Sequence, residues 1–249
     1  MIFCLGCPPG LFSAGAWLCQ TPLAVNDTAA GRFSRPVSDR KQSLPKKDRE
    51  QALNYCLLIL ERFVNEKLAN PAPLGLMGFG MTTILLNIHN AGFYPISAMI
   101  LAMGLCYGGL AQIIAGIMEF RRGNTFGVTA FLSYGLFWLS LVLLIVLPKT
   151  GLADPTPEGY MGWYLLMWGV FTLFMLVGTV NYPRVKQFVF ASLTVLFFLL
   201  AARDFTGNAV IGMIAGFEGI VCGASAIYLA MATVLNEQYG RTVWPVGAR

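Results

Sequence analysis

Few side chains in this sequence are placed to do chemistry, and those few point to solvation rather than to bond making. Phe79, Thr83, Asn87 and Asn90 follow at spacings of four, four and three, which puts a ring, a hydroxyl and two amides on one helix face. Thr129, Ser133 and Ser140, with Tyr134 beside them, offer a comparable face in a later apolar segment. Such rows can replace part of the water around a small polar solute. They can equally bond their own backbone or hold one membrane helix to the next. Both readings stand on sequence alone. Glu218 is the one carboxylate well inside an apolar segment, Glu119 is expected at a solvated edge, and His89, the single histidine, ends the first segment. That set does not make the Asp/Glu/His chain expected of a proton pump.

Other chemistry finds little support. One histidine cannot build a multi-histidine metal site. The six cysteines lack paired zinc spacing, Cys4-x-x-Cys7 stands alone, and Cys106 and Cys222 read as small packing residues in apolar surroundings. No phosphate loop, nucleotide fingerprint or nucleophile motif is present. The expectation is a protein that is not an enzyme, with no cofactor and no metal.

The elements that must position these residues are membrane helices. Of 249 residues, 56% are hydrophobic and only 12% charged, against about 25% charged in soluble domains, and the mean hydropathy is +0.64. Six apolar segments run over about 73–89, 94–118, 126–148, 160–180, 185–203 and 208–234. Each approaches or exceeds the ~20 residues that cross the hydrocarbon layer as a helix. None shows the alternating ~10-residue strands of a membrane barrel. The fold class expected is an all-α integral membrane protein, a six-helix bundle over 67–249 in the lipid bilayer. The charges behind the net +5 cluster mostly outside the apolar segments, so no groove for nucleic acid is suggested. Arg121 and Arg122, Arg184 and Lys186, and the basic residues at both ends fall in alternate connections, which places both termini in the cytoplasm.

Small residues mark the helix contacts. Gly104, Gly108, Ala111 and Ala115 in the second segment, and Gly212, Gly216, Gly219, Gly223, Ala226 and Ala230 in the sixth, recur at fours and threes. Such stripes let helix backbones approach in lipid. The first segment opens differently, on Asn70, Pro71, Ala72, Pro73, Leu74 and Gly75. Proline suits a helix start, whose first amides have no intrahelical partner. The opening reads in two ways: as free N–H groups that attract an anion, or as a rigid break that sets the helix's angle.

At NPAPLGLMGFGMTT the sequence resembles the acetate uptake transporter family. The likeness continues through YGGLAQIIAGIMEFRRGNTFG, AFLSYGLFW, WGVFTLFM, QFVFASLTVLFFLLA and CGASAIYLAMATVLNEQYGRTVWPVG, over about residues 67–247. The resemblance implies six spans per protomer, a homo-hexameric ring and a separate path in each protomer. It implies acetate and succinate as substrates, with protons as possible co-substrates, in the inner (plasma) membrane. It maps a narrow hydrophobic constriction onto Phe79, Tyr134 and Leu193, the family signature onto Asn70–Gly75, and substrate preference onto Leu193 and Ala226. Glu218 stands where an apolar residue is expected and takes no family role. Thr83, Asn87 and Ser133 are expected to line the path beside the constriction. Proton-coupled symport and an anion channel both fit. The alternatives are a channel for another small solute such as ammonium, and an acetate-sensing or structural membrane protein.

Residues 1–66 read as an extension outside the family pattern: weakly apolar to residue 24, then polar and basic and expected to be disordered, with a short amphipathic helix over 51–64. Residues 1–24 make a poor signal peptide. Translation is expected to begin at or near Val64, with a genuine cytoplasmic extension as the rival.

Overall fold

The computed structural model describes residues 68–248, together with residues 47, 50, 51, 53–55, 57 and 58, which are helical and exposed. The start expected at Val64 and the rest of the extension lie outside these residues. Residues 66–249 form a unit of their own and are described by themselves.

Six helices in this unit are long and apolar enough to cross a membrane: α1 Ala72–Asn90, α2 Ala98–Arg121, α3 Thr125–Thr150, α4 Tyr160–Val177, α5 Arg184–Thr206 and α6 Ala209–Tyr239. No strand occurs among the described residues. Their outer face is oily: Phe120 and Phe174 are each 74% exposed. In water that would be costly, whereas a bilayer is the solvent such a surface suits.

Local chemistry sets the helix ends. The side chain of Asn124 accepts from Gly127 N at the start of α3, and that of Asn208 from Val210 N at the start of α6. α3 stops at Gly151, whose φ of +74° is open to glycine at little cost. Pro148 lies inside the last turn of α3. A proline there forfeits one backbone bond, and the helix runs on two residues before the glycine ends it.

Gly104–Ala111 is a π-helix, a wider turn set into α2. A methyl on Gly109 would overlap the Leu139 side chain of α3 and stand 2.9 Å from Gly104 O, so glycine at 109 is what lets this turn lie against α3.

α1 packs most extensively against α6, α4 against α5, and α2 against α3. The glycine stripes sit in these seams. A methyl on Gly104 would meet Val142 at 2.9 Å, and one on Gly108 would meet the Trp138 ring at 2.9 Å. On α6, Gly212 faces Arg203 of α5, Gly216 faces Ala91, Gly219 faces the Asn87 amide and Gly223 faces Gly80. The core between the helices is aromatic, with Phe79, Tyr134, Phe137, Trp138, Phe190 and Phe197 all buried.

Candidate functional site

A cavity of about 220 Å³ opens at the end of the bundle that carries Asn70, Arg122 and Lys186, called the basic end below. Its rim is polar, with Asn70, Asn124 and Lys186, and the buried Glu119 is also among its lining residues. Its walls are mostly apolar, and Phe79, Tyr134 and Leu193 lie together among its lining residues. Three different helices therefore bring these three side chains to one place, each no more than 7% exposed.

The aromatic part is held rigidly. The rings of Phe79 and Tyr134 lie 6.2 Å apart, and Phe171 meets Tyr134 edge-on at 5.5 Å. The Tyr134 hydroxyl donates to Thr172 Oγ1 at 2.9 Å, and Thr172 donates on to Trp168 O at 2.7 Å. A phenol this deep needs a partner, and this chain of two bonds supplies it while fixing the ring.

Gln112 stands on the cavity wall, 1% exposed, its Oε1 without a hydrogen-bond partner. Sequence reasoning passed over it, because a glutamine beside a stripe of small residues carries no motif. Lys186 is the one cation among the described lining residues. Its Nζ sits 3.4 Å from the Tyr182 ring centroid and 4.3 Å from that of Phe126. Among the described residues no carboxylate lies within salt-bridge distance of it. The two rings position the ammonium, and Glu119 lines the same cavity beyond salt-bridge distance.

Glu119 corrects an expectation. It is fully buried, not solvated at an edge. The turn after α2 folds Asn124 back so that its Nδ2 donates to Glu119 Oε2 at 2.8 Å, and Arg122 lies 3.8 Å from Oε1. Gly127 makes room: a methyl there would stand 2.9 Å from the Glu119 side chain.

The signature Asn70–Gly75 also resolves between its two readings. Ala72 N donates to Asn70 Oδ1 at 3.2 Å, Leu74 N and Gly75 N donate to Pro71 O, and the prolines have no N–H. Every amide of the first turn is thus satisfied or absent, which removes the expected anion-attracting mouth of free N–H groups. The segment is a rigid corner. Asn70 is its hinge pin: Oδ1 also accepts from Arg122 Nη1 at 2.6 Å, and Nδ2 donates to Glu237 Oε1 at 2.7 Å. Pro73 and Gly75 are buried, Leu74 is exposed, and Gly75 lies under the Phe131 ring.

The remaining residues lie elsewhere. Thr83 and Asn87 are 2% exposed, one and two turns beyond Phe79, and are not among the cavity's lining residues. Asn87 Nδ2 donates to Thr83 O at 2.8 Å, and Asn87 Oδ1 accepts from Asn90, while Thr83 Oγ1 has no partner. Ser133 is half-buried and away from the cavity; Thr129 is exposed, so the row in α3 does not share one inner face. Ser140 bonds Phe137 O and the Tyr164 hydroxyl. Ala226 is fully buried in the core cluster. Glu218 Oε1 accepts from Ser192 Oγ at 2.6 Å, beside Leu193, and its Oε2 is unpartnered. His89 donates from Nδ1 to Tyr94 O at 2.8 Å. No cluster that could hold a metal occurs among the described residues.

Known proteins resemble this chain in sequence and fold. Over 183 residues the chain is 63% identical to the succinate-acetate/proton symporter SatP of Escherichia coli (strain K12), covering 74% of this chain and 97% of that one. It is 34% identical over 197 residues to acetate permease A of Emericella nidulans, covering 72% of this chain and 66% of that one. The solved structure of the bacterial acetate channel SatP superposes with a TM-score of 0.72 at 64% identity, covering 73% of this chain and all of that one. The GPR1/FUN34/yaaH family model matches residues 57–247, beginning upstream of about residue 67, where the likeness read from sequence begins. By that match and by these relatives, the chain belongs to the GPR1/FUN34/yaaH family.

Proposed function

We propose that this protein carries acetate and related short carboxylates such as succinate across the membrane, through a path in each protomer. The observation that carries the reading is a single cavity that is polar and cationic at its rim and apolar around Phe79, Tyr134 and Leu193. A carboxylate entering at Lys186 exchanges part of its water for the ammonium and for the amides of Asn124 and Gln112. At the three apolar side chains it must shed the rest, which is costly for an ion and less so for a small or neutral acid. Phe79, Tyr134 and Leu193 act as the constriction, with Leu193 and Ala226 setting substrate preference. Thr83, Asn87 and Ser133 serve the path beyond it, where the unpartnered Thr83 hydroxyl is the available group. Weak, successive contacts suit fast transit.

By the positive-inside rule the basic end and both termini face the cytoplasm of a cell whose inner (plasma) membrane holds the protein. Assembly as a homo-hexamer follows from the family resemblance. The protein acts as a transporter and not as an enzyme. Relatives go by the names symporter and channel, and one experiment separates the two modes: labelled acetate uptake into liposomes holding the full chain, with and without an imposed pH gradient. Uptake that follows the pH gradient, after subtracting leakage in empty vesicles, marks proton coupling. Uptake set by acetate gradient and voltage alone marks a channel. Absence of protein-dependent uptake under either condition rejects transport in favour of a sensing or structural role.

A further inference from the structure

After α6 the chain reverses at Gly240, with φ +63°, and returns across the basic end as an extended strap. From Arg241 to Ala248 every residue is exposed except Val246. That one side chain turns inward and joins the lining of the cavity. Exposed tails are held only where something binds them, and this one is held at several points. Asn236 Oδ1 accepts from Val243 N at 2.6 Å and Trp244 N at 2.9 Å, and Asn236 Nδ2 donates to Trp244 O at 2.8 Å. The Tyr228 hydroxyl donates to Pro245 O at 2.8 Å, and its ring stacks on Trp244 at 5.4 Å and 14°. Val246 O accepts from Val185 N at 3.2 Å. The last bond satisfies one of the first-turn amides of α5, which otherwise lack partners.

That bond also fixes Val246 beside the residue preceding Lys186, the lone cation of the rim. The strap therefore forms part of the entrance wall next to the charge that a carboxylate would meet first. Its anchors are hydrogen bonds to exposed backbone, each individually weak. Along its length only Val246 is partly buried, and the Trp244 ring is otherwise held by its stack on Tyr228.

The geometry points to the strap, through Val246, as the element that sets how large a carboxylate enters the cavity from the basic end. This rests on the transport reading above. With Val246 seated, the entrance favours a two-carbon acid. When the strap lifts from Asn236, a longer dicarboxylate gains access. Asn236 touches neither the cavity nor the constriction, so it acts as a positioning residue.

The test uses the full chain in liposomes. N236A removes three bonds to the strap and is expected to raise succinate uptake about five- to ten-fold relative to acetate, with acetate uptake itself retained. V246A is expected to shift the ratio the same way, and V246W to lower both fluxes, succinate more. Independently of transport, V246C is expected to react slowly with a maleimide above the background of the parent chain. With N236A added, that rate is expected to rise about ten-fold. An unchanged ratio in both N236A and V246A, with acetate uptake intact, overturns the inference and leaves the strap a cap for α5. Equal labelling rates overturn it too. If the unaltered protein takes up no acetate, the transport reading fails first, and the labelling rates alone then decide whether the strap is a latch.

Discussion

Gly80 of α1 and Gly223 of α6 face each other so closely that a methyl on either would stand 2.7 Å from the other's carbonyl oxygen. The most extensive helix pair among the described residues thus crosses where glycine meets glycine, with the Ile227 and Ile84 side chains packed equally close to Gly80 and Gly223. In lipid, where apolar surface alone does not drive helices together, such contact is what holds them.

Gly223→Ala forces the two helices apart and is expected to cost about 1–3 kcal/mol, as other overpacked cores do. A thermal melt in detergent reads the loss. Gly92, at φ +93° with nothing within 4 Å of an added methyl, is the control: Gly92→Asn is expected to change the melt far less, since asparagine tolerates that backbone region. Equal loss at both positions would show that the crossing is not what the glycine serves.

Tyr134→Phe separates the ring at the constriction from its hydroxyl. Thr172 keeps its bond to Trp168 O, so no donor is orphaned and the cost to stability is about 0.5–1.5 kcal/mol. Phe79→Ala, in contrast, removes a wall of the narrowing. The expected outcome is near-normal acetate uptake for Tyr134→Phe, and a rise in succinate relative to acetate for Phe79→Ala. Uptake assays with the two labelled acids check both.

How much of this was legible in the sequence differs from residue to residue. The spans could be read because lipid demands long apolar helices, and helical spacing put Phe79 on one face with Thr83 and Asn87, while its place in a constriction came from the family resemblance. Glu119 could not. Its burial depends on Asn124 folding back across the turn and on Gly127 leaving room, a tertiary event that leaves no periodic trace. Gln112 was hidden for a related reason, since it follows directly on the π-helical turn of α2, where the regular helical spacing is broken. Thr129 was misassigned because a row of hydroxyls fixes a stripe but not which way the stripe faces. The free-amide reading of Asn70–Gly75 failed on a detail only coordinates supply: Asn70 Oδ1 and Pro71 O take up the amides themselves.

Asn70 ties α1 to α2 through Arg122 and to α6 through Glu237, so its amide must both accept and donate. Asn70→Asp keeps the acceptor for Arg122 but sets two carboxylates against each other. Acetate uptake is expected to fall sharply, and adding Glu237→Gln, which restores a donor opposite the new carboxylate, is expected to recover most of it. Recovery in the double variant distinguishes a broken contact from a merely unfolded helix start. If Glu237→Gln brings nothing back, the Asn70–Glu237 bond is not what uptake depends on.

Lys186 offers the most direct test of how the rim works. Its charge is positioned over Phe126 and Tyr182 with no salt bridge to a carboxylate among the described residues, Glu119 lying farther off in the same cavity, so an arriving anion can meet it directly. Lys186→Met keeps much of the apolar stem and removes the charge. A single charge acting across a partly solvated rim is worth about 1 kcal/mol, or about a five-fold change in apparent affinity. The expected result is a KM for acetate raised about five-fold with the maximal rate little altered, because the constriction lies deeper and is untouched. Added salt should weaken acetate capture in the unaltered protein and have less effect in Lys186→Met, since screening acts on a charge that the variant lacks. Lys186→Arg is expected to keep most of the affinity. A maximal rate that collapses with KM unchanged would instead put Lys186 in the transit step and move the slowest point of the path from the aromatic constriction to the rim.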